Sequence, residues 1–121
     1  MEFNVEFYQK ENENVPVLDF LLSLQPKLRA KAYSEIELLR KHGTTLTEPY
    51  VKPMKGDKNR GIYELRIKFS TDITRIFYFC FQQDTFVLLN GFVKKTNKTP
   101  ERELVKARKY KADYERRCSD E

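Results

Sequence analysis

The residues able to do chemistry in this sequence are cations. Arg66 and Lys68 alternate with apolar residues on one side of a short stretch, and Arg75 interrupts the run Ile-Thr-Arg-Ile-Phe-Tyr-Phe. Lys94 and Lys95 follow a third apolar run, and Lys98 comes three residues later. Lys52, Lys55, Lys58 and Arg60 punctuate a segment rich in Pro and Gly. Fixed cations converging on one spot suit a phosphodiester. Guanidinium groups bind phosphoryl oxygens in a bidentate manner, and the transition state gains negative charge on those oxygens. RNA carries its own nucleophile, the 2′-hydroxyl. A protein that positions this group and neutralises the phosphorane needs neither histidine nor metal, and a lysine made less basic by neighbouring cations would serve as general base.

Other chemistries find no purchase. The one histidine, His42, ends a helical pattern and reads as a surface residue favoured by the helix dipole. No serine sits in a Gly-x-Ser-x-Gly turn, and no Cys/His pairing is evident. Glycine numbers only four, with no phosphate-cradling loop. No spacing suggests a metal site, so neither metal nor cofactor is expected. Lys58 and Lys68 read most simply as edge charges, paired with Glu64 or Asp72 or left in solvent. Arg75 is different, because a charge inside an otherwise apolar strand needs a partner or a task.

Three strands and a loop must position these cations. Ile62 to Phe69 puts Tyr63, Leu65, Ile67 and Phe69 on one face, and Glu64, Arg66 and Lys68 on the other. Ser70-Thr71-Asp72 is a turn, Ile73 to Phe81 a nearly apolar strand, Gln82-Gln83-Asp84 a second turn, and Thr85 to Val93 a third strand. Short turns between successive strands predict an antiparallel meander. In it Arg66 and Arg75 lie opposite each other. Upstream, Phe3 to Tyr8 alternates as a strand. Pro16 opens one helix and Pro26 another, whose Leu28, Ala32, Ile36 and Leu39 form a buried stripe ended by Gly43. Thr44 to Arg60 is predicted as loop. Thr99-Pro100 starts a last helix to about Arg117, with a thin stripe of Leu104, Ala107 and Tyr114. The expected architecture is α+β, with a helical hairpin on one sheet face and the other face left for solvent or a partner.

Composition fits one domain, residues 1–121: 40% hydrophobic, 34% charged, nine Phe and seven Tyr. The net charge of +5 is uneven. Residues 1–49 hold six Lys/Arg and eight Asp/Glu, a balance of −2, whereas residues 50–117 hold seventeen and eight, a balance of +9. A basic half points to an anionic partner, nucleic acid first. Cys80 lies in an aromatic run and reads as core, and Cys118 lies in a polar tail. With no signal peptide or bilayer-length apolar run, a reducing cytoplasm without membrane contact is expected.

One ordered series is more specific. Gly61-Ile-Tyr-Glu-Leu-Arg66, Thr74-Arg-Ile-Phe-Tyr78 and Leu88-Leu-Asn-Gly-Phe-Val-Lys-Lys-Thr-Asn-Lys-Thr-Pro100 together strongly resemble the phage-derived HigB-like branch of the RelE/ParE toxin superfamily. The resemblance spans nearly the whole chain. It implies a RelE-like curved antiparallel sheet with a two-helix N-terminal hairpin on one face and a C-terminal helix. It implies the toxin of a type II toxin–antitoxin system, a metal-independent endoribonuclease that cuts mRNA on the ribosome. Its partners would be the ribosome, mRNA and a HigA-like helix-turn-helix antitoxin encoded nearby, with a toxin–antitoxin hetero-oligomer. Arg66 and Arg75 match the sheet arginines that hold the scissile phosphate, Lys94 and Lys95 match the cationic segment after the last strand, and these four are the expected catalytic residues. Lys52 and Lys55 match the loop lysines loosely, and with Lys68 and Lys98 are the expected RNA-binding residues. The strong acid or base of some relatives, a C-terminal Tyr or a His/Asp group, has no clear match. Tyr78 is a substitute by type, yet a core aromatic by pattern.

Two other readings follow from the same residues. A ParE-like protein would inhibit DNA gyrase through protein contacts, without a converging phosphate site. A basic nucleic-acid-binding module would show salt-sensitive affinity and no cleavage. On the nuclease reading, charge reversal at Arg75 is expected to abolish toxicity with little loss of folding.

Overall fold

A computed structural model describes residues 2–70 and 72–119, and for Asp72 the backbone alone. The chain order is β1 (Asn4–Phe7), α1 (Pro16–Leu22), α2 (Pro26–His42), β2 (Val51–Pro53), β3 (Tyr63–Phe69), β4 (Asp72–Phe81), β5 (Thr85–Val93) and α3 (Glu101–Ser119), with short 3₁₀ turns at Gly43–Thr45 and Asp57–Asn59. These form an α+β fold around a five-stranded sheet in the order β1-β5-β4-β3-β2. The meander β3-β4-β5 is antiparallel as expected, whereas β1 joins the far edge parallel to β5. The expected turn at 70–72 resolves into Ser70 with φ 56° and Asp72 as the first residue of β4, while Thr71 lies outside the described residues. Within the stretch read as loop, Val51–Pro53 pairs with β3 and carries Lys52 into register with Glu64. Three residues ending in Pro are too short for a periodicity signal, and Pro is tolerated only because this is the sheet edge.

α1 and α2 pack on one face. The stripe Leu28, Ala32, Ile36 and Leu39 is buried there with Val17, Leu21, Leu65, Ile67, Ile76, Tyr78 and Leu88. Arg29 fastens the helix pair, its Nε donating to the Leu21 carbonyl at 2.9 Å and Nη2 to that of Leu24 at 2.9 Å. The Leu21 carbonyl lies in the last turn of α1 and that of Leu24 just beyond it, where the helical ladder has ended.

The second face is not open. Leu104 and Ala107 of α3 cover it, in a cluster with Tyr8, Ile62, Phe77, Phe79, Val87, Leu89 and Phe92. The stripe on α3 looked thin because most of its exposed face is charged, but a few apolar side chains suffice against this aromatic strand surface. A bulge helps. Phe77 stands opposite Asn90 while Tyr78 stands opposite Leu88, so Leu89 is the extra residue. The slip lets both Leu89 and Asn90 serve the α3 side, and Asn90 Nδ2 donates to the Glu103 carbonyl at 3.1 Å. It also turns Gly91 toward α1, where a Cβ would overlap the Phe20 ring. The far end of α3 is tied by Tyr8, stacked on Tyr110 at 4.8 Å, whose hydroxyl donates to Asp113 Oδ2 at 2.6 Å. Burial, then this bond, pushes the Tyr8 hydroxyl up to about 12. Bonds from Arg117, then Tyr8, hold the Asp113 carboxyl well below the usual range. Among the described residues no helix is long and apolar enough to cross a membrane.

Two outcomes are expected. Gly91→Ala should cost about 1–3 kcal/mol through overpacking, read as a shift of the urea midpoint, and Gly91→Ala combined with Phe20→Leu should recover part of it. A carboxylate with a depressed folded pKa stabilises above its unfolded value, near 4, and that stability is lost as pH falls below it. Asp113→Asn should therefore lower stability at pH 7 by about 1 kcal/mol, and lose less than the wild type between pH 7 and pH 3.

Candidate functional site

β3 and β4 set Arg66 and Arg75 directly across from each other, as expected. Side chains in this position lie about 5 Å apart, and like charges there repel. Glu64, two residues before Arg66 on the same face of β3, resolves the conflict. Its Oε1 accepts from Arg75 Nε at 3.1 Å and from Arg66 Nε at 3.3 Å. The Glu64 side chain is 1% exposed, Arg75 7% and Arg66 18%. Arg75 also donates through Nη1 to the Thr74 carbonyl at 3.2 Å. Burial draws its guanidinium below the ordinary range, Glu64 opposes the shift and Arg66 adds to it.

Arg66 differs from Arg75 in one respect. Among the described residues its two terminal nitrogens have no protein partner; only Nε is engaged. It lines an open cleft of about 510 Å³ with Lys52, Lys55, Lys94 and Lys98, and with Glu64, Asn59, Asn97, Thr99 and Glu101. No carboxylate among the described residues lies within ion-pair distance of these four lysines. Each is carried by a different device. Lys52 rides on β2 opposite Glu64. Lys55 is held through its carbonyl, which accepts from Asn59 Nδ2 at 2.8 Å. Asn59 Oδ1 in turn accepts from Arg108 Nη1 at 2.7 Å, and Arg108 Nη2 donates to Glu101 at 3.2 Å. Lys94 follows the end of β5, its amide bonded to the Ile73 carbonyl at 2.8 Å. Lys98 sits in a turn closed by Thr96, whose hydroxyl donates to the Lys98 carbonyl at 3.2 Å. α3 therefore forms a wall of the cleft and pins its loop.

The cleft brings together Lys52, Lys55, Arg66, Lys94 and Lys98. It does not take in the rest of the expected set. Arg75, expected on an open face, is buried beneath it. Lys95 faces a neighbouring groove with Val93, Pro100 and Arg102. Lys68 is exposed one pleat further along β3. Tyr78 belongs to the opposite face, 3% exposed and edge-on to Phe86, where burial raises its hydroxyl above the ordinary range. His42 is exposed in the last turn of α2. Sequence reading took Glu64 for an ordinary ion-pair partner and missed Asn59, Arg108 and Glu101. The signal for Glu64 was its place two residues before Arg66, on the face that the alternation had already assigned. Nothing local marks the link from Asn59 to Arg108, which spans 49 residues.

The sequence model of the family described as phage derived protein Gp49-like (DUF891) matches residues 19–112. The chain belongs to the Gp49-like family. That family is related to the RelE/ParE-type toxins. No curated protein matches the chain closely enough to count as a relative. The match to the Gp49-like family runs from within α1 to within α3 and contains every residue that lines the cleft.

In this Gp49-like protein the burial of Arg75 overturns the expectation that its charge can be reversed with little loss of folding. A carboxylate at that position would lie against Glu64 in a dry site. Removing one partner of such a pair costs about 3–5 kcal/mol. Arg75→Ala should show that loss in urea denaturation, and Glu64→Gln with Arg75→Met should recover much of it because no buried charge is left alone.

Proposed function

We propose that this protein is a HigB-like toxin, a ribosome-dependent endoribonuclease that cuts mRNA in the cytoplasm and stops translation. The observation that carries the reading is the Arg66 guanidinium. It is oriented through Nε by a buried carboxylate, and among the described residues its terminal nitrogens have no partner and the four lysines that share its cleft have no carboxylate within ion-pair distance. A preorganised planar fork is suited to two oxygens of one phosphate, and the cost of orienting it is met during folding. Arg75 acts from below as a positioning residue, sharing Glu64 with Arg66.

In this reading Lys52, Lys55, Lys94 and Lys98 hold the phosphates that flank the cut, with Lys68 and Lys95 extending the contact along the strand. The 2′-oxygen attacks the adjacent phosphorus and the 5′-oxygen leaves, so the products carry a 2′,3′-cyclic phosphate and a 5′-hydroxyl. The metal-independent course uses charge alone to stabilise the phosphorane. The ribosome would present mRNA extended enough to enter the open cleft. The same uncompensated cations suit an acidic segment of a HigA-like antitoxin, which would silence the toxin by occupying them.

Mapping mRNA ends in a translation extract should give discrete cuts that require ribosomes. Arg66→Ala should lower the single-turnover cleavage rate by about 100–1,000-fold, with thermal stability little changed. Absence of cuts with and without ribosomes would sink the reading. Inhibition of supercoiling by gyrase without cuts would replace it with the gyrase-inhibitor alternative.

A further inference from the structure

The proposed reaction needs a group that takes the 2′-hydroxyl proton. Among the cleft-lining residues the lysines and Arg66 in their charged forms donate hydrogen bonds and do not accept them, and Asn59, Asn97 and Thr99 are neutral. Two carboxylates remain, Glu64 and Glu101. Glu101 is 65% exposed and engaged by Arg108, the contact that locks α3 to the loop at Asn59. Glu64 is the opposite case. Both of its arginines bond to one oxygen, Oε1, and the second, Oε2, is buried with no hydrogen-bond partner among the described residues. An unsatisfied carboxylate oxygen is costly in a buried site and calls for an explanation.

We propose that Glu64 is the proton acceptor of the cleavage step, with Oε2 as the accepting atom. The assignment rests on the endoribonuclease reading above. The proton of the 2′-hydroxyl passes to Oε2 as the 2′-oxygen bonds to phosphorus. The bond from phosphorus to the 5′-oxygen breaks, its electron pair leaves with that oxygen, and the oxygen takes a proton from a lysine ammonium of the cleft or from water. Glu64 later returns its proton to water. No oxidant, metal or further reactant is required.

The arrangement of charge favours this sequence. In the free protein Arg66 and Arg75 share the single negative charge of Glu64. Proton transfer moves that charge from Glu64 to the phosphorane oxygens. Arg66, attached to Glu64 only through Nε among the described residues, lines the cleft in which that charge would arrive. Neutralising Glu64 thus releases Arg66 at the moment the phosphorane needs it. Oε2 is closed to solvent in the free protein, so it meets the 2′-hydroxyl only once the substrate is seated in the cleft. Alignment that tightens only in the complex is common among general bases.

The test is single-turnover cleavage of ribosome-bound mRNA by the full chain across pH. The wild type should lose rate on the acid side as the acceptor is protonated. Glu64→Gln keeps an oxygen for Arg66 but cannot take the proton. It should cut about 100–10,000-fold more slowly, without the acid limb and with KM changed little, whereas Glu64→Asp should retain intermediate activity. A purely positional role predicts instead a raised KM and an intact acid limb. Where Glu64→Gln fails to fold, Glu64→Gln with Arg75→Met removes the unpaired buried charge and is read against Arg75→Met alone, which should keep the acid limb that the double variant lacks. A folded Gln variant cutting within about threefold of wild type overturns the assignment. So does a wild-type profile with no acid limb. A wild type that cuts nothing, with or without ribosomes, removes the endoribonuclease reading itself and is thereby told apart from failure of the Glu64 assignment alone.

Discussion

Two guanidinium groups face each other across adjacent strands, and a single buried carboxylate makes that tolerable. Everything of interest in this molecule is arranged around the contact of Glu64 with Arg66 and Arg75. On stability alone it is a poor choice. Desolvating three charges costs several kcal/mol per ion, and well-packed apolar residues in place of a buried ion pair or triad are often neutral or better by about 1–4 kcal/mol. The neighbours Phe77, Phe79 and Phe92 show that this sheet face can be filled with aromatic side chains. Charges retained at the end of such a face are better explained by work on a ligand than by support of the fold, and the graded exposure from Glu64 to Arg75 to Arg66 points that work outward.

α3 matters for the same reason. By covering the second sheet face it gives the triad a dry side, and by stopping short of Arg66 it leaves a wet one. Its first turns reach the loop through Arg108 and Asn59, so the position of Lys55 depends on a helix about fifty residues away in sequence. Its last turns depend on Tyr8 and Asp113, a polar clasp beyond the apolar stripe. The helix is thus held in its first two turns by the burial of Leu104 and Ala107 beside the Arg108 bond, and further along by the Tyr8–Asp113 bond. The cleft wall is therefore tied to the sheet at separate points, and a partner that loosened one of them would reshape the site without unfolding the core.

The sequence made the meander readable because alternation in Tyr63–Phe69 is strict and the turns are short, and the facing of Arg66 and Arg75 follows from those two facts alone. The helical hairpin was readable from its two prolines and from the Leu28–Leu39 stripe. Three features were not. β2 is too short to show a period. The bulge at Leu89 breaks the alternation in β5, so its faces could not be assigned residue by residue. The α3 contact is a tertiary choice, since a helix with so many cations can cover a sheet or lie in solvent equally well by pattern. The open-face expectation failed there, and with it the placement of Arg75 at the surface. The lysines were identified by charge, but which of them share a cleft depends on the path of the 94–100 segment, which turns Lys94 into the cleft, Lys95 into the neighbouring groove and sets Lys98 on the border of both.

The cleft thereby divides its cations by stiffness. The four lysines are long, near solvent and without an ion-pair partner among the described residues, so their attraction for a polyanion is long-ranged and screened within about 8–10 Å at ordinary ionic strength. Arg66 and Arg75 are short-tethered, paired and partly dry, so salt reaches them little. On the proposed endoribonuclease reading, capture of a nucleic acid should then weaken steeply with salt, while the chemistry that follows capture should not, because the two depend on different members of the same cluster. A surface built only for adhesion has no need of the second set. A buried carboxylate with one oxygen fully used and the other left bare is what separates this cleft from a basic patch.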